Sequence, residues 1–326
     1  MVANPAFAAS AIPSTHTAAV SEKVGDYPVL KQLTTPRPSS LLAGQALVKI
    51  CFAGVCHSDV ALALGKGTHR PLEPIISGHE GTGYIVALGP HTRPGPGPKI
   101  GDKVGIKFIA DTCGNCNACE TGHEECCLTP SISGITRDGV CKAFRFESLG
   151  DADNCGDPSP ASALYVFYTL LTASSQFVVA STLHLTPLPE GISLMSAAPI
   201  LCAGVTVYKA LMAAGLDPGD YVVIPGAGGG LGHLAVQYAL AMNYRVIAID
   251  SGEDKRALML RYGVYLWIDF RDEPDLVAAI RHAAGGHPIK AAIVTAGSIA
   301  PYQQVPLQIS HSAATHLKKG VAISGT

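Results

Sequence analysis

The chain has 326 residues, of which 48% are hydrophobic and 15% are charged, and its formal net charge is −2. It is too apolar and too weakly charged for a disordered chain, and it is long enough for about two domains with real cores. Because the charge is nearly balanced, no broad basic field is present, and neither nucleic acid nor an anionic membrane is an expected partner.

The first half of the chain predicts short β-strands separated by turns. Residues 46–52 and 83–88 alternate as strands, and residues 176–180 resume that pattern. The apolar stretch 161–180 is interrupted by polar residues and is too short for a membrane span. Residues 1–20 contain no Lys or Arg, so neither a secretory signal nor a transit peptide is indicated. We therefore expect a cytoplasmic protein.

From Gly219 onward, predicted strands and helices alternate. The predicted strands are 221–224, 245–249, 265–268, 291–295 and 321–324, and the predicted helices are 231–242, 254–262 and 274–284. This alternation predicts an α/β fold with a doubly wound parallel sheet and right-handed crossovers. A helix over 203–216 joins the two halves, which places the domains at 1–203 and 204–326.

A glycine-rich loop, Gly226 to Gly232, follows the first strand of the second half and opens a helix. The absence of side chains lets backbone N–H groups approach a pyrophosphate, whose charge the helix N-terminus favours. The spacing departs from a strict G-x-G-x-x-G, and a tight structural turn is the alternative. Asp250 ends the next strand, where a carboxylate would accept the ribose hydroxyls and repel a 2′-phosphate. The loop therefore predicts NAD rather than NADP, with Lys255 as a further ribose contact.

Half of the ten cysteines lie within residues 113–127. The spacing Cys113-x2-Cys116-x2-Cys119-x7-Cys127 favours a closed tetrahedral zinc site. Cys126 leaves the fourth ligand ambiguous by one residue, and an iron–sulfur cluster or a set of buried free thiols are the alternatives. The same lobe contains three glutamates and no Lys or Arg, which argues against a nucleic-acid-binding zinc module.

A second set of potential ligands is dispersed along the chain. Cys56, His79 and Cys202 together offer two sulfurs and one nitrogen, which would leave a fourth position open on a zinc ion. Each residue alone is more often a core thiol or a satisfied polar side chain. The spacing alone therefore leaves a catalytic metal site and an ordinary core as alternatives.

Several strings together resemble one family of enzymes. They are Gly54-Val55-Cys56-His57-Ser58-Asp59, Gly78-His79-Glu80-Gly81, the run Pro199 to Leu211, and the loop Gly226 to Gly232. They are similar to the fungal-type zinc alcohol dehydrogenases of the medium-chain dehydrogenase family, over most of 18–139 and 176–300. The resemblance implies a β-rich GroES-like catalytic domain, a Rossmann domain, two zinc ions, NAD, a small primary alcohol or its aldehyde as substrate, and a homotetramer.

The resemblance also implies a role for individual residues. It implies that Cys56, His79 and Cys202 hold the catalytic zinc, which is the ligand set known for alcohol dehydrogenase, and that Glu80 approaches the metal. It implies that Cys113, Cys116, Cys119 and Cys127 hold the structural zinc. Asp59 is expected to fix the tautomer of His79, and Ser58 to take the alcohol proton toward the nicotinamide ribose.

The cofactor contacts follow in the same way. The resemblance places His57 near the pyrophosphate and Phe270 beside the adenine. It also matches the loop and strand-end positions to dinucleotide contacts: Gly226, Gly228, Gly229, Gly230, Leu231, Gly232, Asp250 and Lys255.

The chain departs from the family pattern at three places. Ala61 stands where the family often has a histidine that ends the proton relay, so we expect a weaker or pH-altered relay. Segment 140–175 is an insertion of about 35 residues, for which we hypothesise a retained intron, with a true surface insertion as the alternative. Family chains continue beyond Thr326, so we expect the Rossmann domain to be C-terminally truncated.

These departures keep two alternative functions open. The first is a catalytically silent protein that binds zinc and nucleotide, from a truncated or mis-spliced gene. The second is a zinc-free quinone reductase of the same superfamily, against which both cysteine sets argue, because that activity needs neither. Zinc content and alcohol-dependent NADH formation distinguish these alternatives from an alcohol dehydrogenase.

Overall fold

A computed structural model describes residues 12–67, 69–90, 97–141, 176–298 and 300–301. The chain divides into two compact units, Met1–Cys202 and Ala203–Thr326. Most of the segment 140–175 and the predicted strand 321–324 lie outside the described residues. Val140 and Cys141, the first two residues of that segment, are described and buried.

The described part of the first unit is mainly antiparallel β-structure. Its strands are β1 Thr15–Ser21, β2 Val29–Thr34, β3 Gln45–Ala53, β4 Ile75–Ile76, β5 Gly81–Leu88, β6 Lys103–Ile106, β7 Ile109–Asp111, β8 Ser131–Ile132, β9 Gln176–Ser181 and β10 Thr186–Pro187. Its helices are α1 His57–Ala63, α2 Asn117–Glu120 and α3 Leu194–Pro199. The strands form sheets in the orders β2-β1-β4, β10-β6-β5-β3-β9 and β7-β8.

The central strand β3 is buried on both faces, which explains its nearly continuous apolar sequence. Val48 and Ile50 pack with Ile85 and neighbouring strands in one cluster, while Leu47 packs with Phe177 in another. Successive side chains of a strand point to opposite faces, so one strand contributes to both clusters. The predicted strands 46–52 and 83–88 lie within β3 and β5 and are one or two residues longer in the structure.

The described part of the second unit alternates helices and parallel strands. Its elements are α4 Val205–Ala214, β11 Tyr221–Pro225, α5 Gly230–Ala241, β12 Arg245–Asp250, α6 Glu253–Tyr262, β13 Leu266–Asp269, α7 Leu276–Ala283 and β14 Ile289–Ala292. The sheet order is β13-β12-β11-β14 and all pairings are parallel. This order reverses beside β11, as expected for a doubly wound fold, and the crevice at such a reversal is where ligands bind.

Both faces of this sheet are covered. Val222 and Ile224 of β11 pack into a cluster with residues of α4 and α5, whereas Tyr221 and Val223 pack on the opposite face with Ile280 of α7. A parallel sheet flanked by helices buries both faces, and each fully buried aliphatic side chain contributes about 1.5–3 kcal/mol. The predicted α/β alternation is therefore what the structure has.

One predicted strand of this unit is shifted at its ends. Residues 291–295 were expected to be extended, and β14 covers Ile289–Ala292. The backbone N–H groups of Ile293 and Thr295 donate to the carbonyls of Val223 and Pro225, both at 2.9 Å, so backbone pairing with β11 continues to Thr295. The Thr295 hydroxyl also donates to the carbonyl of Gly226 at 3.1 Å, which holds this end of the strand against the start of the glycine loop.

The junction of the units is a helical stretch that starts at Leu194 and ends at Ala214. A π-helical turn, Ile200–Gly204, interrupts it between α3 and α4. The stretch is long and apolar enough to cross a membrane by length and composition, the one such helix among the described residues. Core helices of soluble proteins pass the same test, and Leu194, Val207 and Leu211 of this stretch are buried.

Candidate metal and nucleotide sites

Three distant segments of the first unit bring four metal-binding side chains together. Cys56 is the N-cap of α1, His79 and Glu80 directly precede β5, and Cys202 lies on the π-helical turn. One ligand atom from each residue lies within 4.8 Å of the others. The two sulfur atoms are 3.8 Å apart, and His79 Nε2 lies 3.2 Å from Cys202 Sγ. The structure therefore places the whole dispersed ligand set in one cluster.

The spacing of these atoms fits a zinc ion. Two thiolates held 2.3 Å from a tetrahedral zinc lie about 3.8 Å apart. The Cys56 and Cys202 sulfurs have that separation and form no disulfide. Two sulfurs and one imidazole nitrogen also form the donor set that zinc accepts in open catalytic sites. The residues present fit the metal that the resemblance implies.

Asp59 orients two of these ligands at once. Its Oδ1 accepts a hydrogen bond from His79 Nδ1 at 2.9 Å, and its Oδ2 accepts from the Cys56 backbone N–H at 3.0 Å. The second contact belongs to a capping box at the start of α1. Because the Nδ1–H group is held by Asp59, Nε2 faces the sulfur atoms, where its lone pair would bind a metal once Nε2 has lost its proton.

Glu80 is fully buried beside this cluster, and its carboxylate has no hydrogen-bond partner of good geometry among the described residues. It lies close enough to Cys202 for the carboxylate and the thiol to interact. Residue 54 is glycine because a Cβ there would collide with the Glu80 carboxylate. A buried and uncompensated carboxylate is costly, and a cation at the neighbouring ligands would relieve that cost.

The pKa values of the four side chains in this cluster are strongly shifted. The hydrogen bond with Cys202, together with His79, lowers the pKa of Cys56 to about 3 and raises the pKa of Cys202. Burial lowers the pKa of His79, but the hydrogen bonds with Asp59 and Cys56 outweigh it and raise the pKa to about 10. Burial and the nearby Cys56 thiolate raise the pKa of Glu80 to about 8. Cys56 is therefore a thiolate at neutral pH, whereas His79 and Cys202 must lose protons before they can bind a metal.

Two neighbours complete the cluster. Ser58 donates a hydrogen bond from Oγ to Cys56 Sγ at 2.9 Å, so the hydroxyl lies directly beside a ligand atom. The Phe108 ring meets His79 edge to face, with centroids 5.3 Å apart. Sequence reasoning missed Phe108 and the π-helical turn that carries Cys202, because neither has a periodic or motif signal. His57 opens α1 with an exposed side chain.

The four cysteines of the lobe also converge. Cys113 lies between β7 and α2, and Cys127 follows a short 3-10 turn after α2. Their sulfurs are 3.6 Å apart, while Cys119 Sγ is 3.9 Å from Cys113 Sγ and 3.5 Å from Cys116 Sγ. These separations bracket the value of about 3.8 Å for thiolates on one tetrahedral zinc.

The structure separates the two adjacent cysteines of this lobe. Cys127 is buried and belongs to the group of four, whereas Cys126 is exposed and lies outside it. The backbone N–H of Cys113 also points at Cys127 Sγ, at 3.5 Å. Four sulfurs that surround one point leave no open position, so this arrangement suits a structural metal.

The second unit contains the predicted nucleotide loop. Gly226 and Gly228 lie in the turn after β11, Gly229 is the N-cap of α5, and the helix starts at Gly230. No side chain caps the helix, so its first N–H groups are available to a phosphate. Residue 232 must be glycine, because a Cβ there would collide with the carbonyl oxygen of Gly226.

Asp250 connects this loop to the end of β12. Its carboxylate accepts hydrogen bonds from the backbone N–H of Gly228 at 2.9 Å and of Ser251 at 2.8 Å, and it pairs with Lys255 Nζ at 2.8 Å. Phe270 follows β13 with 48% of its surface exposed. Loop, carboxylate and lysine therefore lie together at the carboxyl ends of the strands, and these residues fit a dinucleotide.

A β-rich unit with a Cys–His cluster and a doubly wound unit with this loop define a metal-dependent, nucleotide-binding dehydrogenase. Residues 42–151 match the alcohol dehydrogenase GroES-like domain, and residues 230–316 match the zinc-binding dehydrogenase domain. The chain is 38% identical to alcohol dehydrogenase 1 of Emericella nidulans over 294 residues, which are 90% of this chain and 73% of that protein. It therefore belongs to the zinc-containing alcohol dehydrogenases of the medium-chain dehydrogenase family.

Two further comparisons agree. An alcohol dehydrogenase of Schizosaccharomyces pombe is 38% identical over 243 residues, which are 74% of this chain but only 59% of that enzyme. The solved alcohol dehydrogenase of Aeropyrum pernix superposes with a TM-score of 0.68 at 29% identity, over 90% of this chain and 75% of that one. The predicted family, fold class, cofactors and class of reaction are confirmed: the chain is a zinc- and NAD-dependent oxidoreductase that interconverts an alcohol and its aldehyde.

Proposed function

We propose that this chain oxidises a small primary alcohol to its aldehyde at the cluster of Cys56, His79, Glu80 and Cys202. The observation that carries the proposal is the convergence of these ligand atoms within 4.8 Å, in a setting where Glu80 is buried without a partner of good geometry. A perturbed cluster of buried titratable groups is typical of catalytic sites.

The division of labour follows from the contacts. When bound, zinc would polarise the alcohol oxygen and NAD would accept the hydride. Cys56, His79 and Cys202 would hold the metal, and Asp59 would keep His79 in the tautomer that exposes Nε2.

Ser58 is the group placed to move the alcohol proton. Its Oγ lies 2.9 Å from a metal-ligand sulfur, so a substrate bound at the cluster would be within reach of this hydroxyl. The hydroxyl would accept that proton and pass its own proton toward the nicotinamide ribose. Solvent water would complete the route, since Ala61 stands where relatives often have a histidine.

The second unit would bind the cofactor. The uncapped first turn of α5 would accept the pyrophosphate, and Asp250 with Lys255 would bind the adenosine ribose. Phe270, half exposed after β13, would flank the adenine. Because Asp250 would repel a 2′-phosphate, an Asp250→Ser variant should lose its preference for NAD over NADP while the turnover number with saturating NAD changes little.

The test measures zinc content and NADH formation from ethanol on the purified chain. Two zinc ions per chain with ethanol-dependent NADH formation would support the proposal. Zinc and NAD binding without turnover would favour the catalytically silent alternative. Quinone reduction without zinc would favour the quinone reductase.

We further propose, from the family resemblance, a homotetramer in the cytoplasm. Light scattering coupled to gel filtration measures the mass of the assembly, and fractionation of the source cells tests the compartment. We also propose a division of the chain into a catalytic domain, 1–203, and a nucleotide-binding domain, 204–326.

A further inference from the structure

We infer that Thr112 and His184 are positioning residues of the four-cysteine lobe, linked to it through the Thr112 hydroxyl. His184 Nε2 lies 3.1 Å from Thr112 Oγ1. Thr112 directly precedes Cys113, and its side chain lies close enough to the Cys119 thiol for the two groups to interact. His184, Thr112 and the Cys119 sulfur thus form a series of neighbouring groups. No sequence motif indicated that His184 belongs to the lobe.

The two ends of this chain belong to different parts of the first unit. Thr112 follows β7, at the base of the lobe, whereas His184 sits in the turn after β9, a strand of the five-stranded sheet. A backbone hydrogen bond from His184 N–H to the Ser181 carbonyl fixes this turn. The His184 side chain is 13% exposed, so the contact is largely shielded from water. The lobe is therefore held to the sheet next to one of its ligands.

The direction of the hydrogen bonds follows from the number of protons available. A metal-bound thiolate only accepts, and the threonine hydroxyl has a single hydrogen. In the metal-loaded lobe the hydroxyl would therefore accept from His184 Nε2–H and direct its own hydrogen toward Cys119 Sγ. The nearby carboxylate of Asp111 does not compete, because it is 3.8 Å from His184 Nε2 and instead accepts the backbone N–H of Thr112 at 3.0 Å.

Hydrogen bonds from outer residues fix the orientation of a ligand and tune its donor strength, and their loss typically costs 10–100-fold in metal affinity. We therefore expect that removal of the Thr112 hydroxyl speeds metal release from the lobe about tenfold or more. The inference rests on the proposed binding of zinc by the four cysteines.

The experiment follows zinc release from the zinc-loaded full chain with a chromogenic chelator. Thr112→Val removes the hydroxyl at nearly constant shape, and Thr112→Ser is its matched control. His184→Leu removes the donor, whereas His184→Gln keeps an N–H at the end of the side chain. A Cys127→Ser chain, which should lack the lobe ion, identifies the release phase that belongs to the lobe.

We expect faster lobe release in Thr112→Val and His184→Leu, near-normal release in the two control variants, and an unchanged phase for the ion at Cys56, His79 and Cys202. In the cobalt-substituted chain, Thr112→Val should shift the thiolate-to-cobalt absorption of the lobe, and Thr112→Ser should not. These readouts do not require turnover.

Two results would overturn the inference. Release from Thr112→Val at the wild-type rate would exclude a role for the hydroxyl, and equally fast release from Thr112→Ser would mean that packing matters rather than the hydrogen bond. A wild-type chain whose lobe holds no zinc and shows no four-thiolate cobalt spectrum would refute the metal assignment as well. That failure is distinguishable, because it appears before any variant is made.

Discussion

The two cysteine clusters of the first unit have similar sulfur spacing but opposite surroundings. In the lobe, four sulfurs from one 15-residue stretch surround a point close to solvent, and Cys113 is exposed. In the other cluster, two sulfurs share the metal position with an imidazole and with a buried carboxylate that has no partner of good geometry. Spacing thus indicates that both clusters can hold a metal, whereas the surroundings distinguish a closed structural site from an open reactive one.

The largest expected effect is the loss of turnover when the open cluster loses a ligand. Cys202→Ser should lower kcat/KM on the order of 10³-fold or more, because Lewis-acid stabilisation of the reacting oxygen is worth several kcal/mol. Zinc content should fall from two ions to one, with the lobe ion retained. Retention of both zinc ions and of full activity in Cys202→Ser would contradict the assignment of the open cluster as the reactive metal site.

The lobe should respond in the opposite way. Cys127→Ser should lower the free energy of unfolding by about 4 kcal/mol at a free zinc concentration 1,000 times Kd, since the metal binds only the folded lobe. Cys126→Ser is the matched control, because Cys126 is the adjacent but exposed thiol outside the cluster. Chemical denaturation at fixed free zinc measures both variants.

Equal destabilisation by the two substitutions would show that the structure has chosen the wrong cysteine as the fourth ligand. Loss of turnover in Cys127→Ser without any loss of stability would contradict the structural role of the lobe. The cobalt spectrum of the Cys56, His79 and Cys202 cluster provides the reference, since it should be unchanged in both variants.

These two clusters also mark what sequence reasoning can predict. The lobe is local, so the spacing of its cysteines limits the arrangement to one ambiguity, Cys126 or Cys127, which burial then decides. The open cluster needs residues 56, 79 and 202, which lie far apart in the sequence. Their residue types left a metal site and an ordinary core as alternatives, and the resemblance favoured the metal site. The strands and helices of the second unit followed from periodicity because each buries a regular apolar face.

Other features depend on tertiary contacts and leave no local signal. The π-helical turn around Cys202 and the edge-to-face contact of Phe108 with His79 are of this kind. In each case a contact with a distant segment selects a conformation that the local sequence does not specify. Such contacts surround the cluster of Cys56, His79 and Cys202. The sequence therefore predicts the fold more completely than it predicts the residues around this cluster.

The pH dependence of metal binding should reveal the protonation states of the ligands in the open cluster. His79, with a pKa raised to about 10, and Cys202, with a raised pKa, both carry protons at neutral pH, whereas Cys56 is already a thiolate. A metal needs neutral imidazole and thiolate, so binding at the open cluster should release about two protons from His79 and Cys202. Glu80, with a pKa raised to about 8, should release up to one more. Affinity should therefore fall as pH falls.

Calorimetric titration of the zinc-free Cys127→Ser chain, in buffers with different ionisation enthalpies, counts these protons at the open cluster alone. Replacing His79 with Ala should remove one of them along with most of the affinity. If the zinc affinity did not change over about two pH units around neutrality, His79 would not be protonated before the metal binds. That result would contradict the protonation of His79 that its contact with Asp59 favours.

The smallest expected effect concerns the route by which the open cluster exchanges protons with solvent. Ala61 lies three residues after Ser58 on α1, and residues at this spacing share one face of a helix. An imidazole at position 61 would accept the proton of the Ser58 hydroxyl above its pKa of about 6.5. We therefore expect Ala61→His to speed the proton-dependent step about tenfold above that pH and to have little effect below it.

Val60→His adds the same group one position away, where the side chain is exposed, and should leave the pH profile of single-turnover NADH formation unchanged. If the two variants gave the same profile, a general effect of added imidazole, rather than a relay along one face of α1, would explain the gain. If neither variant changed the pH profile, water would already complete the proton route from Ser58. The open cluster would then differ from the closed one in its ligands and not in a proton relay formed by side chains.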